Sequence, residues 1–406
     1  MKLPDRAAGA GAWLAVPAAL LLPQALAAQA DPLFDRRWES LAAGGYEPLT
    51  IPVDWYDPVA TVDGQETPVE TLAVAESGIA PSALAAAAAW AKGQNSTALL
   101  VSRDGRLVFE QYWQGTGRDT RFNPQSMAKT VTALLVGTAI ERGEIASVDD
   151  PVGTYLSEWS ADPRGAITLR QLLQMASGLE QGDDGHGYQL TPDNPIVRHS
   201  LRSDLTRRLL TLDRVAEPGA TFDYSNQVNQ LLGLILERAT GEDYEALLSQ
   251  RLWQPLGLRS AAMPLDRPGG MVMTSCCILS RPVDWLRIGQ LFVDGGRYNG
   301  QQIVPEAWLG EMTAPSPANR GYGYQVWIGD QQIGGKHPPG VPLVPWQSEP
   351  FAAPRVIILN GHGGQRVYVM PAKRLVIVRA ARQWPDAWDD AVLPNVLWRA
   401  IEGDDP

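Results

Sequence analysis

The pattern of apolar and polar residues predicts a buried helix at the centre of the fold. Residues 127–140 are nearly all small or apolar, and a helix that is apolar on every side is buried in a core. Asn123 is a suitable N-cap, Pro124 is tolerated in a first turn, and Gly143 is a suitable stop. The pattern therefore predicts a central helix that begins near Ser126.

Strand patterns occupy both ends of the sequence, and helix patterns occupy its middle. Two apolar runs, 97–102 and 107–113, flank Asp104 and Gly105, which is the signature of a β-hairpin. Further strands are predicted at 322–328, 356–359, 365–370 and 375–381. Helices are predicted at 81–92, 168–175, 229–240, 243–252 and 388–401.

This arrangement predicts an α/β (α+β) protein with one antiparallel sheet built from the N- and C-terminal segments and flanked by helices. We expect a single domain in which residues 81–135 and 320–402 form an α/β lobe and residues 136–319 form an inserted, mainly helical lobe. Residues 29–80 show no clear periodicity, which indicates an irregular N-terminal extension. A crevice between the lobes is the default position for a site.

Composition narrows the function classes. The 406-residue chain has a net charge of -11, which argues against a nucleic-acid partner. Its four histidines are widely spaced and its two cysteines are adjacent, so a zinc-ligand set is not expected. The sequence has no G-x-S-x-G elbow, Walker A loop or G-x-G-x-x-G motif. We expect neither a metal nor an organic cofactor.

The N-terminus has the features of an export signal. Lys2 and Arg6 are followed by a largely apolar segment, 7–26, and by small residues around Ala27. These features predict a signal peptide over residues 1–28 and a periplasmic or secreted protein. A retained N-terminal membrane anchor is the alternative.

The two cysteines, Cys276 and Cys277, are neighbours in the sequence. They are the only two cysteines, so neither can be bonded to a distant segment of the chain. A disulfide between them would close a small, strained ring, because adjacent Cα atoms lie closer together than in a conventional disulfide. Two interpretations remain open, a pair of packed thiols or an oxidised vicinal pair in an oxidising compartment.

The candidate chemistry lies at the start of the central helix, where Ser126 precedes Lys129 by three residues. Residues at this spacing lie on one helix face, so the amine can accept the proton of the serine. Burial on this helix would lower the pKa of Lys129 and favour the neutral amine. Unpaired backbone N–H groups of the first turn can help to stabilise an oxyanion.

Two further segments can complete this chemistry. In 222–226, Tyr224 beside a cationic lysine could ionise more easily and act as a base, and Asn226 could donate to a substrate carbonyl. The alternative there is a packed tyrosine and an N-capping asparagine. In 360–365, the backbone N–H of Gln365 is a natural second oxyanion donor. The alternative there is a simple glycine-rich turn.

Taken together and in this order, the three segments resemble the motifs of the serine β-lactamase and penicillin-binding-protein superfamily. The class C β-lactamase-like branch, with its carboxylesterases and 6-aminohexanoate-dimer hydrolases, is the most similar. The resemblance covers about residues 95–400 and implies a β-lactamase/transpeptidase-like fold. Other segments that resemble the family are 149–152, 167–179, 217–219, 255–257, 276–277, 284–285, 299–305 and 361–365.

The resemblance implies a role for each matching position. Ser126 matches the nucleophile, Lys129 its partner base, and Tyr224 the tyrosine that relays protons to and from the leaving group. Asn226 lies at the third position of the family's second motif, which residues 224–226 match. The backbone N–H groups of Ser126 and Gln365 would form the oxyanion hole.

The third motif departs from the family pattern, because His362, Gly363 and Gly364 stand where many β-lactamases have Lys-Thr-Gly. An ordinary histidine is mostly neutral at pH 7, and glycine has no hydroxyl. Loss of a charge-assisted contact to a substrate carboxylate costs about 1.5–3 kcal/mol. Esters and small amides are therefore favoured over β-lactams. Tyr188, in the long 180–200 loop, is a further candidate for substrate binding.

The sequence thus predicts a serine hydrolase that cleaves an ester or a small linear amide through a Ser126 acyl-enzyme, with Lys129 and Tyr224 as acid–base groups. A β-lactamase or D,D-carboxypeptidase is the alternative within the same class. A non-catalytic binding or sensing homologue is the alternative from another class, although all three catalytic candidates are present.

Overall fold

The computed structural model describes residues 31–46, 51–180, 191–329, 345–383, 385 and 388–401, with the backbone alone at 195 and 196. The predicted signal peptide and Tyr188 lie outside the described residues.

The middle of the chain is mainly helical and strands lie towards both ends, as the sequence predicts. The α-helices are α1 (Pro32–Gly44), α2 (Pro81–Gly93), α3 (Ala128–Glu141), α4 (Leu169–Leu173), α5 (Pro195–Leu201), α6 (Leu205–Leu210), α7 (Asn226–Thr240), α8 (Tyr244–Leu248), α9 (Pro282–Val293), α10 (Glu306–Met312) and α11 (Val392–Arg399). The strands are β1 (Val59–Val62), β2 (Ser96–Arg103), β3 (Arg106–Tyr112), β4 (Ala261–Pro264), β5 (Arg297–Tyr298), β6 (Gln301–Gln302), β7 (Trp327–Ile328), β8 (Ile357–Gly361), β9 (Gln365–Met370) and β10 (Leu375–Ala381).

A six-stranded antiparallel sheet joins the two ends of the chain, in the order β3-β2-β10-β9-β8-β7. The predicted sheet built from both termini is therefore confirmed. Strand β10, from the C-terminal half, pairs on one side with β2 from the N-terminal half and on the other with β9. Two small pairs, β1-β4 and β5-β6, lie outside this sheet.

The hairpin and three of the C-terminal strands are confirmed, as β8, β9 and β10. Asp104 and Gly105 both have positive φ, 54° and 76°, as the tight turn between β2 and β3 requires. The prediction of a strand over 322–328 was wrong except at its end. The reason is that Tyr324 and Gln325 donate their backbone N–H groups to carbonyls of the helical region, at Met312 and Leu173, instead of to a strand.

Helix α3 lies at the centre of the core, as predicted. Every residue from 128 to 139 is buried, because α7 and α10 pack on it. Helix α9 packs on the sheet at β9 and β10, α2 packs on β2, and α11 packs on α2. A Cβ at Gly289 would lie 2.6 Å from Val376 Cγ1, so glycine is needed where α9 approaches the sheet.

Several helix boundaries differ from the prediction. The helices predicted over 168–175 and 388–401 are shorter, α4 and α11. The helix predicted over 243–252 divides into α8 and a π-helical turn at Ser249–Trp253. Helix α7 starts three residues early, because the Ser225 hydroxyl accepts from Val228 N and makes Ser225, not Asn226, the N-cap.

The prediction of an irregular extension over residues 29–80 was wrong for α1. Asp31 Oδ1 accepts from Phe34 N at 3.0 Å and Pro32 occupies the first turn, so the N-terminal signals of a helix were present in the sequence. Arg37 anchors α1 to the body by donating to the carbonyls of Leu201, Leu265 and Asp266. The boundaries proposed for the two lobes stay a prediction.

Candidate active site

The start of the central helix brings Ser126 and Lys129 together. A 3-10 turn, Gln125–Met127, leads into α3 and places Lys129 Nζ 2.9 Å from Ser126 Oγ. The turn is set by Asn123, whose Oδ1 accepts from Gln125 N at 2.9 Å, and Gln125 itself has a positive φ of 52°. Ser126 is half-buried, whereas Lys129 is only 1% exposed. The serine is thus partly accessible, whereas the lysine amine is shielded from solvent.

Lys129 is held by three oxygen atoms. Besides Ser126 Oγ, Nζ contacts Asn226 Oδ1 at 2.7 Å and the Ser275 carbonyl oxygen at 2.8 Å. The last two oxygens only accept hydrogen bonds, so they take both N–H groups of a neutral amine. The lone pair of that amine is then directed at the Ser126 hydroxyl. This is the geometry that proton transfer from serine to lysine requires.

Burial lowers the pKa of Lys129 from 10.5 to about 7. The direction agrees with the sequence-based expectation, because desolvation disfavours the charged ammonium. A substantial fraction of the side chain is therefore neutral near pH 7 and able to accept a proton.

Tyr224 reaches the same hydroxyl from the segment just before α7, and its side chain hydrogen-bonds with Ser126. Burial raises the pKa of Tyr224 to about 12, so the phenol stays protonated at neutral pH. The expectation that a cationic lysine would ease its ionisation was wrong. Lys129 Nζ lies 5.1 Å from the ring centroid, over the ring face, and desolvation dominates. The rings of Tyr322 and Trp327, with centroids 6.1 and 5.8 Å away, form part of the aromatic wall around Tyr224.

We expect Tyr224→Phe to lower kcat about 10²-fold on an alkyl ester, because the phenol is placed to pass a proton to the leaving group. The loss should be about tenfold or less on a p-nitrophenyl ester, whose leaving group departs without a proton. Steady-state kinetics on both esters test this, with Tyr322→Phe as the matched control. Equal losses on the two esters would contradict a relay to the leaving group.

The turn between β8 and β9 carries the third motif. It lies against the nucleophile, since a Cβ at Gly361 would be 2.2 Å from the carbonyl oxygen of Pro124. Gly363 and Gly364 have φ of 72° and 77°, which favours glycine at both positions. Strand β9 begins at Gln365, whose side-chain amide exchanges two hydrogen bonds with the backbone of Ala381. Its backbone N–H remains the predicted second oxyanion donor.

Two buried arginines support this turn from behind. Arg379 donates to the carbonyl of Gly363 at 2.7 Å, and Arg366 donates to those of Gly361 and Gln365 at 2.9 and 3.0 Å. Both guanidinium groups are fully buried, and Arg366 pairs with the equally buried Asp390 at 2.6 Å. Sequence reasoning missed these residues, because arginines within an apolar strand give no local sign of what they bind.

His362 does not replace the missing lysine of the family motif. Burial, followed by the nearby charge of Arg366, lowers its pKa to about 3. The imidazole is therefore neutral at pH 7, as expected from the sequence, and this position supplies no cation for a substrate carboxylate.

The sequence also gave no sign of the part that the loop before α9 plays in the site. Ser275 contacts Lys129 through its main chain, which any residue could supply. The next two residues, Cys276 and Cys277, form a vicinal disulfide, so the interpretation as two thiols was wrong. Within the described ranges, no group of three or more His, Cys, Asp or Glu side chains is placed to hold a metal ion, and no helix is long and apolar enough to cross a membrane.

Comparisons with known proteins show which family the chain resembles. Residues 82–400 match the protein-family description Beta-lactamase. The chain is 26% identical to the 6-aminohexanoate-dimer hydrolase of Paenarthrobacter ureafaciens over 301 residues, which cover 71% of this chain and 73% of that protein. It is 30% identical to Esterase EstB of Burkholderia gladioli over 189 residues, 42% of this chain and 47% of the esterase.

A solved structure shows the same fold. The chain superposes with a TM-score of 0.67 on a Bacillus anthracis protein provisionally described as a 6-aminohexanoate-dimer hydrolase. The two are 20% identical, and the match covers 90% of this chain and 92% of the other. The predicted fold class is therefore confirmed.

Proposed function

The chain belongs to the beta-lactamase family and is a serine hydrolase, and from this premise we propose that it cleaves carboxylic esters or small linear amides through an acyl-enzyme on Ser126. The observation that carries the proposal is the pairing of a half-buried serine with a buried lysine amine 2.9 Å away. This is a nucleophile in contact with a base whose pKa lies near neutrality.

The proposed reaction uses each group in turn. Ser126 Oγ bonds to the substrate carbonyl carbon while its proton moves to Lys129 Nζ. The backbone N–H groups of Ser126 and Gln365 stabilise the oxyanion. The bond to the leaving alcohol or amine then breaks, and the proton passes from Lys129 to that leaving group by way of Tyr224. Water releases the acid from the acyl-enzyme and restores the serine.

The third motif supports esters and uncharged amides as substrates. Family members with Lys-Thr-Gly present a charge and a hydroxyl, whereas a neutral His362 and Gly363 present neither. A substrate carboxylate thus lacks its charge-assisted partner, at a loss of about one to two decades in affinity. We therefore rank carboxylesterase activity first and β-lactamase or D,D-carboxypeptidase activity last.

Hydrolysis of linear amides is the second candidate. It is supported by the similarity to 6-aminohexanoate-dimer hydrolase, which extends over 71% of this chain, whereas that to the esterase covers 42%. An amine leaving group needs a proton more than an alcohol does, and a protonated Tyr224 beside Ser126 suits that need.

We also propose that the protein acts in the periplasm or outside the cell. The apolar segment over residues 7–26 and the vicinal disulfide both support export, because disulfides persist in oxidising compartments.

A substrate panel tests the proposal. We expect kcat/KM on p-nitrophenyl butyrate to exceed that on a chromogenic cephalosporin by about 10- to 10²-fold, and we include the p-nitroanilide of butyric acid as an uncharged amide substrate. Ser126→Ala is the control, and intact mass spectrometry detects an acyl adduct. Faster cephalosporin turnover would restore the β-lactamase alternative. The absence of turnover and adduct on all three would favour the non-catalytic homologue.

A further inference from the structure

The vicinal disulfide adjoins the residue that positions the catalytic base. Ser275, whose carbonyl oxygen lies 2.8 Å from Lys129 Nζ, directly precedes Cys276 and Cys277. On the other side of the pair, Cys277 Sγ lies 3.5 Å from Asn123 Nδ2. Asn123 in turn sets the turn that carries Ser126. The disulfide is therefore connected to both members of the proposed nucleophile–base pair.

We propose that the Cys276–Cys277 disulfide is a positioning element that keeps the Ser275 carbonyl on Lys129, so that the hydrolase works at full rate when the pair is oxidised and slows when it is reduced. The inference rests on the proposed function of Ser126 and Lys129 and adds a regulation of that same site. The two cysteines are positioning residues here, because they act through Ser275 and Asn123.

The backbone of this loop explains why the disulfide matters. Cys277 has a φ of 73°, in the left-handed region that residues with a Cβ rarely adopt. A bond between adjacent side chains closes a small ring around the peptide that joins them and holds this conformation. Without the bond, a Cβ-bearing residue is expected to leave the left-handed region, and the peptide next to Ser275 turns with it.

The loop is held independently on its upstream side. Gln230 Nε2 donates to the carbonyl of Val272 at 2.6 Å, and Gln230 Oε1 accepts from Thr274 N at 2.9 Å. These bonds fix the chain up to residue 274, so a change at 276–277 is expected to move the Ser275 carbonyl and to leave α7 in place. The effect on the site is therefore local.

Movement of the Ser275 carbonyl affects the base specifically. It removes one of the two acceptors that take the N–H groups of Lys129, so the lone pair is no longer directed only at Ser126. The proton-transfer step slows, and kcat falls. The proposed substrate groups at His362–Gly364 belong to the β8–β9 turn, and the oxyanion donors act in the transition state, so KM should change little.

Reduction tests the inference directly, because the sequence contains no cysteine besides this pair. Dithiothreitol transfers two electrons and two protons, which break the Sγ–Sγ bond into two thiols while the reductant closes to its own cyclic disulfide. The protein is then desalted without oxygen, since free thiols cleave p-nitrophenyl esters. We expect kcat to fall about 5- to 30-fold at nearly constant KM, and to recover after reoxidation with oxidised glutathione.

Two double variants separate backbone geometry from thiol chemistry. Cys276→Ser with Cys277→Ser should match the reduced enzyme. Cys276→Ser with Cys277→Gly should recover most of the lost kcat, because glycine adopts positive φ without a steric penalty. Neither variant should respond to dithiothreitol. Melting temperatures measured on all forms show whether any loss comes from unfolding.

The outcomes distinguish this inference from the proposed function. Rates of Ser126 phosphonylation by a fluorophosphonate, followed by intact mass, give a readout that needs no substrate. Equal kcat and equal labelling in the oxidised and reduced enzymes would overturn the inference and leave the proposed function standing. A loss in kcat that the glycine variant does not recover would also overturn it. No Ser126 labelling in the oxidised enzyme would overturn both.

Discussion

Ser126→Ala is expected to lower kcat on every hydrolysed substrate by at least about 10⁴-fold. The hydroxyl oxygen forms the bond to the acyl group. When a nucleophile is removed, nearly all of the rate enhancement that it produces together with its partner residues is lost. Steady-state rates on p-nitrophenyl butyrate measure the loss. The adduct seen by mass spectrometry on the wild-type enzyme should disappear in the variant.

The matched control is Ser157→Ala, at an exposed serine outside the site. It should keep its kcat within about twofold. Ser126 is half-buried, so its replacement should change the free energy of unfolding by about 1 kcal/mol or less. A folded Ser126→Ala enzyme that keeps a tenth of the wild-type rate, or still forms an adduct, would mean that another residue is the nucleophile.

The sequence predicted those parts of the fold that local patterns determine. The all-apolar run of α3 and the Asp104-Gly105 turn each indicate one conformation, and both predictions were confirmed. The strand over 322–328 failed because its backbone partners are the carbonyls of Leu173 and Met312, which no local pattern reveals. Helix α1 was missed for a different reason, since its Asp31 and Pro32 signals were present but the segment lacks an apolar period.

In the candidate site, too, the sequence predicted the features that depend on local composition and missed those that depend on tertiary contacts. The lowered pKa of Lys129 follows from burial alone, and the burial of α3 is evident from composition. The raised pKa of Tyr224 follows from burial of its phenol, which is set by tertiary packing and not by the neighbouring sequence. The contacts of Lys129 with the Ser275 carbonyl and of Arg379 with the Gly363 carbonyl involve main-chain atoms. Any residue could supply such a carbonyl, so the sequence does not reveal these contacts.

Lys129→Met is expected to lower kcat about 10³- to 10⁴-fold, because it removes the base and leaves Ser126 as an ordinary hydroxyl. In the wild-type enzyme the neutral amine is the active form. The rate should therefore rise with pH through about 7 and level off above it. His199, with a pKa lowered to about 3, and Tyr224, with one raised to about 12, do not titrate in this window. Lys129→Met should lose this rise of the rate with pH, whereas the control Lys92→Met, at an exposed site on α2, should keep it.

The same lowered pKa makes an independent prediction about stability. Between pH 7 and 10.5 the unfolded chain binds a proton at Lys129 that the folded chain does not bind, so the free energy of unfolding should rise with pH. Relative to Lys129→Met, the wild-type protein should gain up to about 1.4 kcal/mol per pH unit in this range. Urea titrations at pH 7, 8 and 9 measure the difference. A contradicting result would be equal pH dependence of the free energy of unfolding in the wild-type protein and Lys129→Met, with a wild-type rate that rises only near pH 10. The amine would then be charged in the folded protein at pH 7 and could not be the resting base.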